Sequence, residues 1–139
     1  MMDERDVVYI SGNEHDPGDS RGEDWLTVRP GDTFRLENRQ RGSLRAWRGT
    51  LTPGTHGALV TGLDAAGFPT VPPHKVPGGS AIRELHHGGR SALAAWHAGR
   101  DLPGYRELFA RLDAIIDAVA DGEPRDPIRD LTAEDGGAD

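Results

Sequence analysis

The chain contains no cysteine, a single lysine and few aromatic residues. Without cysteine there is no disulfide framework, no thiolate nucleophile and no cysteine-based zinc site. No stretch approaches the roughly 18 consecutive apolar residues that a membrane helix needs. The first ten residues are acidic, and their apolar run is too short for a secretory signal. These absences predict a cytoplasmic protein with no membrane-spanning segment.

Charge is distributed unevenly along the 139 residues. Residues 1–24 hold eight acidic residues and two arginines, a net charge of −6, and residues 121–139 hold seven acidic residues and two arginines, a net charge of −5. Because the whole chain carries −7, the body between them is mildly basic, at +4. The length suits one domain. We expect a single domain over 1–120 and an acidic, disordered tail over 121–139.

The first half of the chain is predicted to form four short strands, at 7–11, 24–30, 33–40 and 44–51. The third of them alternates apolar and polar side chains with the period of two that is typical of a half-buried strand. If Gln40 pairs with Ser43 across a tight turn, Leu36 falls opposite Trp47. One apolar face of this hairpin then points inward.

End signals predict two helices and a second hairpin. Thr52 is expected as the N-cap of a helix that ends at a left-handed Gly67. Gly88-Gly89 is a favoured turn pair between two further strands. The last helix is expected to begin at Asp101, because apolar residues recur at helical spacing beyond it. The sequence therefore predicts an α+β fold: an antiparallel sheet in the order β-β-β-β-α-β-β-α, with both helices packed on one face.

Histidines suggest a metal site or an acid–base pair in two places. His86 and His87 are neighbours on one strand and should point to opposite faces, which favours a solvated hairpin tip. His74, His97 and Asp101 form a looser set of the kind that binds zinc or transfers protons. The alternative is that these histidines hydrogen-bond loop backbone.

Motifs for enzyme chemistry are lacking elsewhere. The chain has no G-x-S-x-G elbow, no GxxxxGK[ST] phosphate loop and no GxGxxG dinucleotide motif. We therefore expect no catalytic residue and no cofactor. A small histidine-based metal protein or enzyme remains the third hypothesis for function.

Arginines gather on the outer face of the predicted 33–51 hairpin, where alternation places Arg35, Arg39 and Arg48 around Glu37. Such a face suits nucleic acid, although the acidic flanks repel phosphate. An uncovered sheet face or edge suits a protein partner better. We expect a non-catalytic protein-binding domain, acting as an inhibitor or immunity-type partner of an enzyme through these arginines. Nucleic-acid binding by the same arginines is the first alternative.

Residues 33–116 resemble a class of small bacterial proteins common in GC-rich genomes. The resemblance is carried by "DTFRLENRQRGSLRAWRGTLTP", "GLDAAGFPTVP" and "SALAAWHAG" leading into "LPGYRELFARLDAII". In order of elements the stretch also resembles the emfourin-type protein inhibitors of thermolysin-like metalloproteases. That resemblance implies two strands, a helix with an "AAGF" corner, a hairpin and a final helix, together with an inhibitory role. It assigns no role to any individual residue.

Overall fold

A computed structural model describes residues 4–12, 22–40, 43–76, 81–122 and 125–134. These residues form seven strands and two α-helices. The strands are β1 (Val7–Gly12), β2 (Glu23–Val28), β3 (Thr33–Gln40), β4 (Ser43–Leu51), β5 (Ile82–His87), β6 (Arg90–Ala95) and β7 (Ile128–Ala133). The helices are α1 (Thr55–Ala66) and α2 (Tyr105–Asp121), and a short 3₁₀ turn, Ala98–Asp101, precedes α2.

All seven strands belong to one sheet, in the order β6-β5-β1-β2-β3-β4-β7, and every neighbouring pair is antiparallel. The β3–β4 hairpin has the predicted register, with Gln40 opposite Ser43 and Leu36 opposite Trp47. Gly88 and Gly89 form the second hairpin turn, both with positive φ. The predicted α+β architecture is therefore confirmed.

Both helices pack against the same face of the sheet, which we call the covered face. The shared core combines strand residues of that face with the apolar sides of the helices, among them Val7, Tyr9, Leu26, Leu36, Leu59, Leu63, Leu108, Leu112 and Ile115. Helix α2 has 17 residues and connects the β6 edge to the β7 edge. Its length of about 26 Å nearly matches the roughly 29 Å that separates the two edges of a seven-stranded sheet.

Helix α1 ends as the sequence predicts. Gly67 adopts the left-handed conformation (φ 87°). The main-chain N–H of Phe68 donates to the carbonyl of Leu63 at 3.1 Å, and the Gly67 N–H donates to Asp64 at 3.1 Å. This is the Schellman arrangement, which satisfies carbonyls that the helix end leaves without partners.

The start of α1 differs from the prediction. Thr52 is not the N-cap; its hydroxyl instead donates to the carboxylate of Asp126 at 2.9 Å. The helix begins at Thr55, and its first N–H groups are bound from another part of the chain. The carboxylate of Asp32 accepts hydrogen bonds from the main-chain N–H of Gly54 (2.9 Å) and of His56 (2.8 Å). A distant side chain therefore supplies the cap that Thr52 was expected to provide.

Helix α2 also starts later than predicted. Asp101 lies in the 3₁₀ turn, and α2 begins at Tyr105 after Gly104. Its predicted apolar stripe faces the core, with Leu112 and Ile115 fully buried.

The prediction of a disordered tail from residue 121 onward is wrong for Ile128–Ala133, which form β7. This strand pairs with the outer edge of β4, and Ile128 is buried in the core between the sheet and α2. The segment has few apolar residues, so its order comes from main-chain pairing with an available sheet edge. Residues 123–124 and 135–139 of the predicted tail lie outside the described residues.

In the described part of the chain, no helix is long and apolar enough to cross a membrane.

Candidate binding face

The sheet face opposite the helices, which we call the open face, carries all three predicted binding arginines. Cross-strand registers arrange its side chains in rows that run across the strands. One row runs Thr27–Arg35–Arg48–Thr132, and the next runs Trp25–Glu37–Ala46. The following row runs Glu23–Arg39–Leu44. The structure therefore brings Arg35, Arg39 and Arg48 to one surface, as alternation along β3 and β4 predicts.

Two of these arginines are held in an ion-pair network. Arg35 binds Glu37 at 2.8 Å and also binds Glu134 through Nε (2.8 Å) and Nη2 (3.3 Å). Arg39 binds the other oxygen of Glu37 at 2.9 Å, and its guanidinium stacks on the ring of Trp25, 3.9 Å from the centroid. Both guanidinium groups are therefore already engaged within the chain, in the bidentate and stacked geometries that suit arginine.

The network shifts the pKa values of its members. Burial alone would raise the pKa of Glu37, but hydrogen bonds from Arg35 and Arg39 outweigh it and lower that pKa below its ordinary range. Hydrogen bonds that Arg35 donates, first to Glu134 and then to Glu37, raise the pKa of Arg35. Both shifts favour the ionised forms of Glu37 and Arg35 at neutral pH, and the two arginines and two glutamates together have no formal net charge.

Arg48 differs from its two neighbours. Its side chain is exposed and lies directly opposite Arg35 in the β3–β4 register. Within the described residues it forms no ion pair and no hydrogen bond of its side chain. Of the three predicted binding arginines, Arg48 is therefore the one whose guanidinium is available to a partner.

Apolar side chains also reach the open face. Leu44 is 40% exposed near the start of β4. Leu93 is 43% exposed on β6, at the opposite edge of the sheet. Between them, Val8 and Ile10 of β1 are buried although both helices lie on the opposite face. The exposed apolar groups of the open face are therefore Leu44 and Leu93, and together with its aromatic and paired charged groups they give a composition typical of protein interfaces.

The predicted set of His74, His97 and Asp101 does not form a metal site. The main-chain N–H of Ala95 donates to Nε2 of His74 at 3.0 Å, so Nε2 carries no proton. Nδ1 therefore holds the proton and donates to the carbonyl of Pro72 at 2.9 Å. Both ring nitrogens bind backbone, which was the alternative for this residue.

His97 and Asp101 are exposed at the turn before α2, where the His97 ring contacts Trp96 edge-on. Across the described ranges, no three His, Asp or Glu side chains are grouped closely enough to hold a metal ion. The hairpin histidines point to opposite faces as predicted: His86 pairs with the carboxylate of Glu84 at 2.7 Å, and His87 binds the carbonyl of Asp6 at 3.0 Å.

The sequence analysis missed a buried polar network on the covered face. Arg83 is 1% exposed, and its Nη1 binds the hydroxyl of Tyr9 and, at 2.8 Å, the carboxylate of Asp113 on α2. Its Nε donates to the carbonyl of Trp96 at 2.8 Å. Tyr9 also donates to Asp113 at 2.8 Å. The signal was present, because alternation along β5 places Arg83 on the same face as the apolar Leu85.

The network attaches α2 to the sheet. Burial, followed by the charge of Asp113, raises the pKa of Tyr9 well above its ordinary range. Tyr9 is thus a neutral hydrogen-bond donor at all physiological pH values, and its ring stacks on Phe109 at 5.8 Å between centroids. Because Tyr9 and Arg83 are fully buried between the sheet and α2, we assign these groups to packing of the helix layer.

No protein-family model matches the chain, and no curated protein matches its sequence.

Proposed function

We propose that this chain is a non-catalytic, cytoplasmic protein-binding domain that acts as an inhibitor or immunity-type partner of an enzyme. It binds through the open face of the sheet. The observation that carries the proposal is the composition of that face: Arg48, which has no ion pair among the described residues, shares it with the stacked Arg39–Trp25 pair and with the exposed Leu44 and Leu93. Arginine and aromatic residues are enriched at protein interfaces, and exposed leucines gain free energy when a partner covers them.

The balance of charge on the open face favours a protein over nucleic acid. Arg35 and Arg39 are already bound by Glu37 and Glu134, so they are poorly suited to neutralise phosphates and to release the counterions that a nucleic acid carries. Glu23, Glu84 and Asp130 add further negative charge on the same face by register. A nucleic-acid surface needs uncompensated positive charge along a continuous path.

The order of elements supports the inhibitory part of the proposal. The sequence β3-β4-α1-β5-β6-α2 is the order on which the resemblance to emfourin-type inhibitors rests. Such inhibitors act by binding a protein, and they need no active site of their own.

The test is a pull-down from lysate of the source organism with the full-length chain and two charge-reversal variants. Arg48→Glu changes the open face, and Arg45→Glu changes the same strand on its covered side. We expect one protein to be recovered near equal stoichiometry by the wild type and by Arg45→Glu, and to be lost with Arg48→Glu.

Arg35 is unsuitable for this test, because its reversal would place three carboxylates together and disturb the fold. A parallel arm treated with nuclease identifies the alternative function. If recovery depends on intact nucleic acid, or if Arg45→Glu and Arg48→Glu lose the partner equally, the open face is not a protein-binding surface.

A further inference from the structure

The β3–β4 hairpin contains two arginines directly opposite each other, and the described carboxylates near them bind only one of the two. Arg35 and Arg48 are directly opposite each other, an arrangement that destabilises a sheet. Glu37 and Glu134 both bind Arg35, and neither binds Arg48. The fold therefore keeps a positive charge on Arg48 at some expense of stability.

A third arginine, which the sequence analysis did not select, lies near this pair. The N–H of Arg29 donates to the carbonyl of Thr33, so alternation places the Arg29 side chain on the open face, one row from Arg48. Arg29 is exposed, and among the described residues its side chain has no hydrogen bond or ion pair. Sheet spacings put the Cα atoms of Arg29 and Arg48 about 12 Å apart, within reach of one short peptide segment.

A groove of about 450 Å³ joins the two arginines. Its lining also includes the hydroxyl-bearing Thr33, Thr50 and Thr132 and the acidic Asp130 and Glu134. We refer to it as the arginine groove. Guanidinium groups only donate, so Arg29 and Arg48 offer hydrogen bonds to oxygen acceptors, most strongly to those that carry negative charge.

We propose that the arginine groove binds two carboxylates from an acidic segment of the partner protein, one on Arg29 and one on Arg48. The inference rests on the proposed function and names the chemistry of the partner. A protein segment with closely spaced Asp or Glu residues matches these two guanidinium groups, neither of which has an ion pair with a described residue.

Carboxylates fit the arginine groove better than phosphates. The guanidinium contacts already made there, from Arg35 to Glu134, are made with a carboxylate. Asp130, whose carboxylate accepts only the hydroxyl of Thr50 among the described contacts, adds negative charge at the rim. A dianionic phosphate meets more repulsion from Asp130 and Glu134 than a single carboxylate does.

The test titrates the full-length chain with hexaglutamate and follows the Nε–Hε signals of arginine side chains by NMR. We expect saturable shifts of Arg29 and Arg48 that weaken as salt is added, and no shifts with hexaglutamine. Arg48→Gln should weaken hexaglutamate binding about fivefold, as the loss of one solvent-accessible ion pair predicts. The matched control, Arg45→Gln, should bind like the wild type.

A stability measurement on the same variants separates a binding role from a structural one. Removing the unfavourable charge should raise the urea midpoint of Arg48→Gln slightly, while its binding falls. A lower midpoint together with weaker binding would mean that Arg48 supports the fold, and the proposal would fail. It would also fail if inorganic phosphate or a short DNA oligonucleotide bound the groove more tightly than hexaglutamate.

Failure of this proposal and failure of the proposed function give different results. If hexaglutamate does not bind but Arg48→Glu still abolishes partner recovery, the open face binds a protein by other contacts. If hexaglutamate binds the groove but no protein depends on Arg48, the groove is a carboxylate site without the proposed function.

Discussion

The covered and open faces of this sheet differ in how completely their arginines are paired. On the covered face, the buried Arg83 is surrounded by partners for its hydrogen bonds, because an unpaired charge away from water is costly. On the open face, Arg48 keeps a charge that no described residue neutralises. Burial therefore enforces complete pairing, whereas exposure allows a surplus that a partner can use. Mutations on the two faces should differ in size accordingly.

The largest effect is expected from breaking the buried network. Arg83→Ala should lower the free energy of unfolding by about 3 kcal/mol, because it leaves Asp113 and Tyr9 without their shared partner and opens a cavity. Urea denaturation followed by circular dichroism measures this loss. Arg106→Ala, which removes an exposed arginine from α2, should change stability by less than about 0.5 kcal/mol. Equal losses in both variants would contradict the role given to the network.

The second effect concerns the junction of β4 and β7. In Gly49→Ala the new methyl group would collide with the carbonyl oxygen of Asp130 and approach Phe34 at 3.0 Å. We expect a loss of about 2 kcal/mol, as for other overpacked sites, with β7 losing protection from amide hydrogen exchange. Gly57→Ala is the matched control, since its methyl group on α1 meets nothing within 4 Å. That variant should gain up to about 1 kcal/mol through helix propensity.

A smaller, pH-dependent effect is expected at the cap of α1. Hydrogen bonds from the N–H groups of His56 and Gly54 lower the pKa of Asp32 below its ordinary 3.8. The stabilisation from ionised Asp32 is therefore complete above about pH 4 and is lost as pH falls through the lowered pKa. Asp32→Asn keeps an acceptor and tolerates the positive φ, so at pH 7 it should cost only about 0.5 kcal/mol.

Denaturation curves at several pH values between 7 and 2.5 test this prediction. The stability difference between wild type and Asp32→Asn should shrink toward the acid end. Asp64→Asn provides the control, because Asp64 is an exposed residue of α1, the helix that Asp32 caps. A difference that grows as pH falls would show that the sign of the linkage is wrong.

An equally small effect is expected on the open face. Glu134→Gln removes the charge that binds Arg35 and should lower stability by about 0.5 kcal/mol, the usual size of a solvent-accessible ion pair. Most of that loss should disappear in 1 M salt. Comparing the variant with the wild type at low and high salt measures it. A salt-independent loss above about 2 kcal/mol would mean that the two faces do not differ as described.

Local patterns in the sequence predicted much of the fold. Alternation along 33–40 placed Leu36 inward and Arg35 outward, and Gly67 ended α1 where a left-handed residue was expected. These features depend on neighbours in the chain, so their signals are contained in a few residues. The same alternation predicted that Arg35, Arg39 and Arg48 share a face.

Features that were missed depend on residues distant in sequence. Arg35 and Glu134 are 99 positions apart, and the segment that carries Glu134 has too few apolar residues to be predicted as a strand. Its prediction would have required knowledge that β4 lies near the sheet edge. Arg29 was missed for a related reason, since it becomes a neighbour of Arg48 only when β3 lies between them.

The sequence by itself determined both helices and every strand except β7, the apolar side of those strands, and where arginines gather. Periodicity and turn residues act over a few bonds, so they persist whatever the rest of the chain does. Only the tertiary structure decided the strand order, the capping of α1 by Asp32, the pairing of β7 and which open-face arginines form ion pairs with the described carboxylates. Each of these requires groups separated by many residues to meet, and the free energy of such contacts depends on the whole packed sheet.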